Sequence, residues 1–380
     1  MNIQETIERA LASAGLDTQS GPMSGVTDTI RNALASAGLA VGAVASPAQA
    51  APPNDNTIDV VAREVPAPGA EAAEAAAAGG QFVLRSFSAP AGTRAYKLYV
   101  PAQAVGSNKP QVGGWPLVVM LHGCTQSADD FAAGTQMNRL ADEHGFVVVY
   151  PEQASGANAS RCWNWFRAED QVRGAGEPAL LAGLVQAVVA EHPVDPARVY
   201  VAGLSAGAAM AVVLGETYPE LFAAVGAHSG LPYAAAHDIP SAMAAMKGHS
   251  PMGMGHLPGT PADPRRQAQQ AVPVIVFHGD RDHTVQHSNG EQIVRQATSA
   301  HAAGLSARTE QGQSPSGRSY TRTRHTNAQG QCLVEAWTLH GAGHAWSGGA
   351  AAGSFTDGSG PDASAEMLRF FLALPGQGQR

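Results

Sequence analysis

Three kinds of side chain in this sequence could together carry nucleophilic chemistry: a hydroxyl, a carboxylate and an imidazole. The hydroxyl is Ser205, in Gly203-Leu204-Ser205-Ala206-Gly207, where the run of β-branched and apolar residues Val199-Tyr200-Val201-Ala202 gives way to small residues and a helical pattern. A serine there can sit on a sharp strand-to-helix turn with its oxygen projecting above a sheet edge. A serine hydroxyl is a weak nucleophile at neutral pH. It needs a base within reach, an acid to orient that base, and two N–H groups to receive the developing oxyanion.

The acid is read in "VIVFHGDRDHTV", where Asp280 and Asp282 follow a buried strand. Carboxyl ends of strands are where open α/β sheets assemble their sites. Asp282 is the choice and Asp280 the runner-up, each with the competing role of a turn aspartate that caps local N–H groups. The base is read in "LHGAGHAWSGG", which offers His340 and His344. His344 lies in a glycine-rich loop that can aim its ring, whereas His340 directly follows a strand and reads as a loop support. The order Ser, Asp, His is that of the α/β-hydrolase layout. In "VVMLHGCTQ" a strand ends at His122-Gly123, and the expected oxyanion donors are the amides of Cys124 and Ala206. His122 is read as a structural residue shaping that loop.

The elements that must hold these groups alternate along the chain. "QFVLRSFS" and "RAYKLYV" predict an opening hairpin, "WPLVVMLHG" a buried strand, and "DFAAGTQMNRLADEHG" a helix closed by glycine. "FVVVYPEQ" predicts a strand, "EPALLAGLVQAVVAEH" a helix, and "FAAVGAHSG" another strand. "VPVIVFHGD", a helix near 286–302, the pair "SYTRTRHT" and "CLVEAWTLHG", and a terminal helix "ASAEMLRFFLAL" complete the set. Such alternation implies βαβ units and a mostly parallel central sheet flanked by helices. The stretch 231–271, rich in Ala, Met, Pro and Gly, reads as a cap or loop insertion.

Ahead of this lies an N-terminal extension. "ETIERALASAGL" (5–16) returns as "DTIRNALASAGL" (28–39), and both copies place their apolar residues on one helical face. Residues 1–50 therefore read as two short helical repeats. The second copy also resembles the apolar core of a secretory signal ending at Ala48-Gln49-Ala50, and both readings stand. Residues 51–80, rich in Ala, Pro and Glu, read as a linker, and residues 81–380 as the α/β catalytic domain.

Composition sets limits. The 380 residues carry a net charge of −8 and only 14% charged residues, which argues against a nucleic-acid partner because phosphate binding needs a clustered basic face. No run reaches the ~18 apolar residues of a membrane span. The three cysteines, Cys124, Cys162 and Cys332, lie at no zinc-ligand spacing, and neither a metal nor an organic cofactor is implied.

Taken jointly, "LHGCTQS", "YPEQ", "CWNWF", "GLSAG", "HGDRDHTV", "GAGHAWSGG" and "GPDASAEMLRFF" resemble the polyhydroxybutyrate depolymerase family of α/β-hydrolase esterases, which is similar to feruloyl and acetylxylan esterases. The resemblance runs from about residue 81 to the C-terminus. It implies a serine ester hydrolase with Ser205, Asp282 and His344 as triad and the Cys124 and Ala206 amides as oxyanion hole. It implies, too, a bridge between Cys124 and Cys162, and with it an extracellular or periplasmic setting, a cytoplasmic one being the alternative. Trp163, Trp165 and Trp346 are candidates for an aromatic wall against the substrate, with core packing the competing role for one of the first two. The sequence runs only to "PGQGQR" after the last helix, so soluble oligomers or small esters are as much expected as solid polymer. Competing functions are a feruloyl or acetylxylan-type carbohydrate esterase, a peptidase on the same sheet, and a granule- or surface-binding protein contacting polymer through its N-terminal helices.

Overall fold

The strand sequences explain the core. Along Trp115–Leu121 (β3), Leu117, Val119 and Leu121 enter one apolar cluster while Val118 and Met120 enter another. Successive side chains of a strand point to opposite faces, so a strand apolar at every position must be covered on both sides. The computed structural model describes residues 80–104, 113–249, 271–301 and 304–376. The helical repeats, the signal-like site and residues 51–79 of the linker lie outside them.

The remaining strands are Gln81–Ala89 (β1), Gly92–Val100 (β2), Val147–Pro151 (β4), Val194–Leu204 (β5), Ala224–His228 (β6), Val274–Gly279 (β7), Ser306–Gln313 (β8), Ser319–Thr326 (β9) and Cys332–Leu339 (β10), with the short pair Trp346–Ser347 (β11) and Thr356–Asp357 (β12). The main sheet has the order β1-β2-β4-β3-β5-β6-β7-β10-β9-β8. Its centre, from β4 to β10, is parallel throughout, and antiparallel strands flank it on both sides. The carboxyl ends of β3, β5, β6, β7 and β10 therefore share one edge.

Helices cover both faces. Ala128–Thr135 (α1), Met137–His144 (α2) and Ala363–Leu372 (α7) pack into the cluster that holds Val118 and Met120. Gly176–Glu191 (α3), Ala206–Thr217 (α4), Ile239–Met246 (α5) and Ser288–Ala300 (α6) pack into the opposite one. α4 is buried at nearly every position, as a helix apolar on all sides must be.

Two expectations are corrected. The helix anticipated over 130–145 is two helices, because Gln136 takes a left-handed φ of 53° that ends α1 and starts α2 at a new angle. The sequence reading also passed over β8. Its residues, SARTEQGQ, are mostly exposed, so no apolar alternation marks it. The backbone ladder to β9 holds it in place.

Candidate active site

Ser205 stands at the junction of β5 and α4 with φ 58° and ψ −120°, a conformation that L side chains rarely adopt and that is held only where the surroundings fix it. Its amide donates to His228 O at 2.9 Å. Two glycines let the turn close. A Cβ on Gly207 would come within 2.1 Å of Leu121 O and 2.6 Å of His122 O, and one on Gly203 within 2.5 Å of the Gly207 carbonyl carbon. The end of β3 therefore lies directly against the elbow, so the residues following His122 meet the start of α4.

The turn after β3 is held by side chains. Gln126 Oε1 accepts from Gly123 N at 2.9 Å, while Gln126 Nε2 donates to Asp130 Oδ2 and Ser354 O. Neither the Cys124 amide nor the Ala206 amide has an acceptor among the described residues, and Ala206 opens α4, where backbone N–H groups are unpaired and the helix dipole favours negative charge. Cys124 is bridged to Cys162. Beside the bridge, Thr125 N donates to Ser160 O, and Arg161 Nη2 to Thr125 O.

Asp282 follows β7 and is buried. Its Oδ1 accepts from Thr284 N and Val285 N, each at 2.9 Å. Its Oδ2 lies 2.7 Å from His344 Nδ1 and 3.5 Å from His278 Nε2. Burial alone would push this carboxyl up. The donors from His278, His344 and Val285 and the nearby His344 charge outweigh burial and hold it well below the usual carboxylate range. An ionised carboxylate only accepts, so His344 donates through Nδ1, and in the neutral imidazole Nε2 is then the nitrogen with the lone pair.

Asp282 and His344 are thus in direct contact, and Ser205 occupies the same sheet edge, its strand β5 lying two strands from β7, which precedes Asp282, and three from β10, which precedes His344. Between Ser205 and His344 there is no hydrogen bond. Such bonds are often long before substrate engages and tighten in the reacting complex. Asp280 forms its own pair with His340, at 3.0 Å.

His122 is buried and donates through Nδ1 to Gly123 O, while Nε2 accepts from Gln153 N. Burial pushes its pKa down to about 4, so it is a neutral brace. The three tryptophans are 0%, 6% and 1% exposed for Trp163, Trp165 and Trp346. Trp163 Nε1 donates to His122 O, Trp346 Nε1 donates to Ser364 Oγ, and Trp165 packs edge-on against Phe166. All three rings are buried, and two of them hold the site's loops through their ring N–H groups.

Sequence reasoning missed Gln126, His278 and His228. His228 is fully buried, and its Nε2 accepts from Ser347 N, tying β6 to the chain just past His344. Each of the three lies inside a motif quoted for other residues, and a polar residue beside a turn was the available signal. Among the described residues no group of three or more His, Cys, Asp or Glu side chains could hold a metal ion, and no helix is long and apolar enough to cross a membrane. The geometry supplies a strained serine, an imidazole polarised by a buried carboxylate, and two unpaired amides. That set can attack a carbonyl carbon and stabilise the resulting oxyanion.

Comparison with known proteins agrees with this chemistry. Residues 94–310 match the family model described as Esterase PHB depolymerase. The chain is 38% identical over 234 residues to a poly(3-hydroxyalkanoate) depolymerase C of Paucimonas lemoignei, covering 60% of this chain and 54% of that protein. It is 36% identical over 148 residues to a feruloyl esterase B of Neurospora crassa, covering 39% and 47%. The chain thus spans about half the length of the curated relatives it matches. An acetyl xylan esterase from Aspergillus awamori shares the α/β-hydrolase fold at a TM-score of 0.55 and 20% identity, over 78% of this chain and 99% of that one.

Proposed function

The chain belongs to the esterase PHB depolymerase family, and on that premise we propose that it is a serine carboxylic-ester hydrolase acting on hydroxyalkanoate polyesters or their oligomers. The observation that carries this reading is the buried Asp282–His344 contact of 2.7 Å on the sheet edge that holds Ser205. Ser205 Oγ attacks the ester carbonyl carbon while His344 Nε2 takes its proton. The Cys124 and Ala206 amides receive the oxyanion. His344 then protonates the departing alcohol, leaving an acyl group on Ser205. Water, deprotonated by His344, releases the acid and regenerates the serine. Asp282 stays ionised throughout.

The 38% identity to a poly(3-hydroxyalkanoate) depolymerase supports the polyester substrate, and the 36% match to a feruloyl esterase keeps a carbohydrate-linked ester as the second reading. Residues 81–380 are the proposed catalytic domain, and the N-terminal sequence repeats are proposed to localise it on polymer. The Cys124–Cys162 bridge fits an oxidising compartment, in line with a secreted enzyme. The test is hydrolysis of 4-nitrophenyl butyrate, a 3-hydroxybutyrate oligomer, methyl ferulate and an acetylated xylo-oligosaccharide by wild type and Ser205→Ala. The oligomer should be the best substrate, and Ser205→Ala should lose at least about 10⁴-fold in kcat. A preference for ferulate or acetyl-xylan would move the substrate to the plant cell wall, and activity surviving in Ser205→Ala would remove the mechanism.

A further inference from the structure

Among the described residues five large apolar side chains are exposed, and Phe355 is the one aromatic. It is 49% exposed and has a left-handed φ of 52°. A bulky residue held in that conformation is strained, and here the ring gains little internal packing in return.

The backbone around it is fixed from two sides. Phe355 O accepts from Trp346 N at 2.7 Å, and the next residue begins β12, which pairs with β11 two residues beyond His344. On its other side, Ser354 N and Oγ donate to Asp130, and Ser354 O accepts from Gln126 Nε2, the same side chain whose Oε1 holds Gly123 N. Phe355 is thus presented by a rigid loop that joins the proposed oxyanion turn to the proposed base. Gly353, two residues earlier, seats that loop on α1, since a Cβ there would come within 2.4 Å of the Gly134 Cα.

Other strained residues gather nearby. Of the seven non-glycine residues with positive φ among those described, Thr125, Arg161, Ser205 and Phe355 all belong to the elbow, the oxyanion turn or loops bonded to it. We propose that Phe355 is the substrate-contact aromatic of this site, its exposed ring packing against the acyl or alcohol chain of the ester beyond the scissile bond. This deepens the esterase reading and rests on it. An exposed ring on a preorganised backbone loses little conformational freedom when an apolar chain covers it, which suits a specificity contact.

The experiment uses the full chain with Phe355→Ala, Phe355→Leu and Phe355→Tyr, assayed on a 3-hydroxybutyrate tetramer and on 4-nitrophenyl acetate. For Phe355→Ala, kcat/KM on the tetramer should fall at least about tenfold, mostly through KM, against no more than about threefold on the acetate. Tyr should restore most of the tetramer activity, and Leu part of it. An equal loss on both esters would assign Phe355 a structural role, and wild-type behaviour on both would leave it no role; either overturns the proposal. If wild type ignores the tetramer but cleaves methyl ferulate, the polyester assignment fails by itself. The same ratio of methyl ferulate to acetate then decides the fate of Phe355.

Discussion

Two carboxylate–imidazole pairs stand at the same end of the sheet, built from residues two and four positions apart. Asp282 and His344 meet at 2.7 Å with side chains 0% and 12% exposed, whereas Asp280 and His340 meet at 3.0 Å with side chains 35% and 42% exposed. The outer pair is complete in itself. Asp280 Oδ1 accepts from Gly341 N, and His340 Nε2 lies 2.9 Å from Thr321 Oγ1. Carboxylate, imidazole and hydroxyl are thus all present at the outer pair, yet both nitrogens of its imidazole are engaged and its hydroxyl stands mid-strand in β9. The inner imidazole keeps Nε2 free of any described partner, on an edge that carries a strained serine and two unpaired amides. A triad of side chains makes a reactive site only where oxyanion donors and an elbow accompany it. The outer pair instead clamps the loop that aims His344, helped by Arg281 N donating to Ala342 O.

The widest separation of the two pairs should come from the histidines. His344→Ala should cost about 10⁴-fold or more in kcat, while His340→Ala should cost less than about tenfold, since a loose loop still presents its base part of the time. Steady-state kinetics on 4-nitrophenyl butyrate reads both. Comparable losses would erase the distinction between the pairs.

The carboxylates should follow with a somewhat smaller gap. Asp282→Asn should lower kcat about 10³- to 10⁴-fold by leaving His344 in the wrong tautomer, and Asp280→Asn less than about tenfold. Asp282 is held well below the usual carboxylate range. Its contribution to stability is therefore complete above the unfolded value near ~4, and is lost only as pH falls well below that.

A third carboxylate shows the opposite balance, with burial prevailing over a hydrogen-bond donor. Asp170 is buried beside Glu177 and accepts from the Glu177 amide, and burial, reinforced by the Glu177 and Glu169 charges, raises its pKa to about 6. The group's stabilising contribution is therefore fully present below the unfolded value near ~4 and is lost as pH rises through about 6. Asp170→Asn should be more stable than wild type at pH 8 by about 1–2 kcal/mol, with the gap closing below pH ~5. Denaturant melts at the two pH values test it. A gap independent of pH would mean that burial is not what separates Asp170 from Asp282, whose hydrogen-bond donors reverse the effect.

Much of this site was readable from residue types at strand ends. The serine elbow announces itself through the small residues that let Gly207 meet the end of β3. The carboxylate and histidine preferred on sequence grounds are the two that the structure pairs most closely. The existence of the second pair was not readable, because it depends on the register of β7 against β10, which sets Leu339 opposite Gly279. Nor was the direction of the tryptophan rings, since a position near a reactive residue says nothing about which way a side chain turns. Phe355 lies in a Gly- and Ser-rich loop with no periodicity, and only its φ and exposure set it apart. β8 was lost for a related reason: an edge strand held by backbone bonds needs no apolar face.

The most direct test of the central claim is to quench the enzyme milliseconds after mixing with 4-nitrophenyl butyrate and map the acylated peptide by mass spectrometry. A single butyryl group on Ser205, accumulating more slowly in Asp282→Asn but as in wild type in Asp280→Asn, is the expected result. An acyl group on any other residue, or steady turnover with Ser205 never acylated, would contradict it.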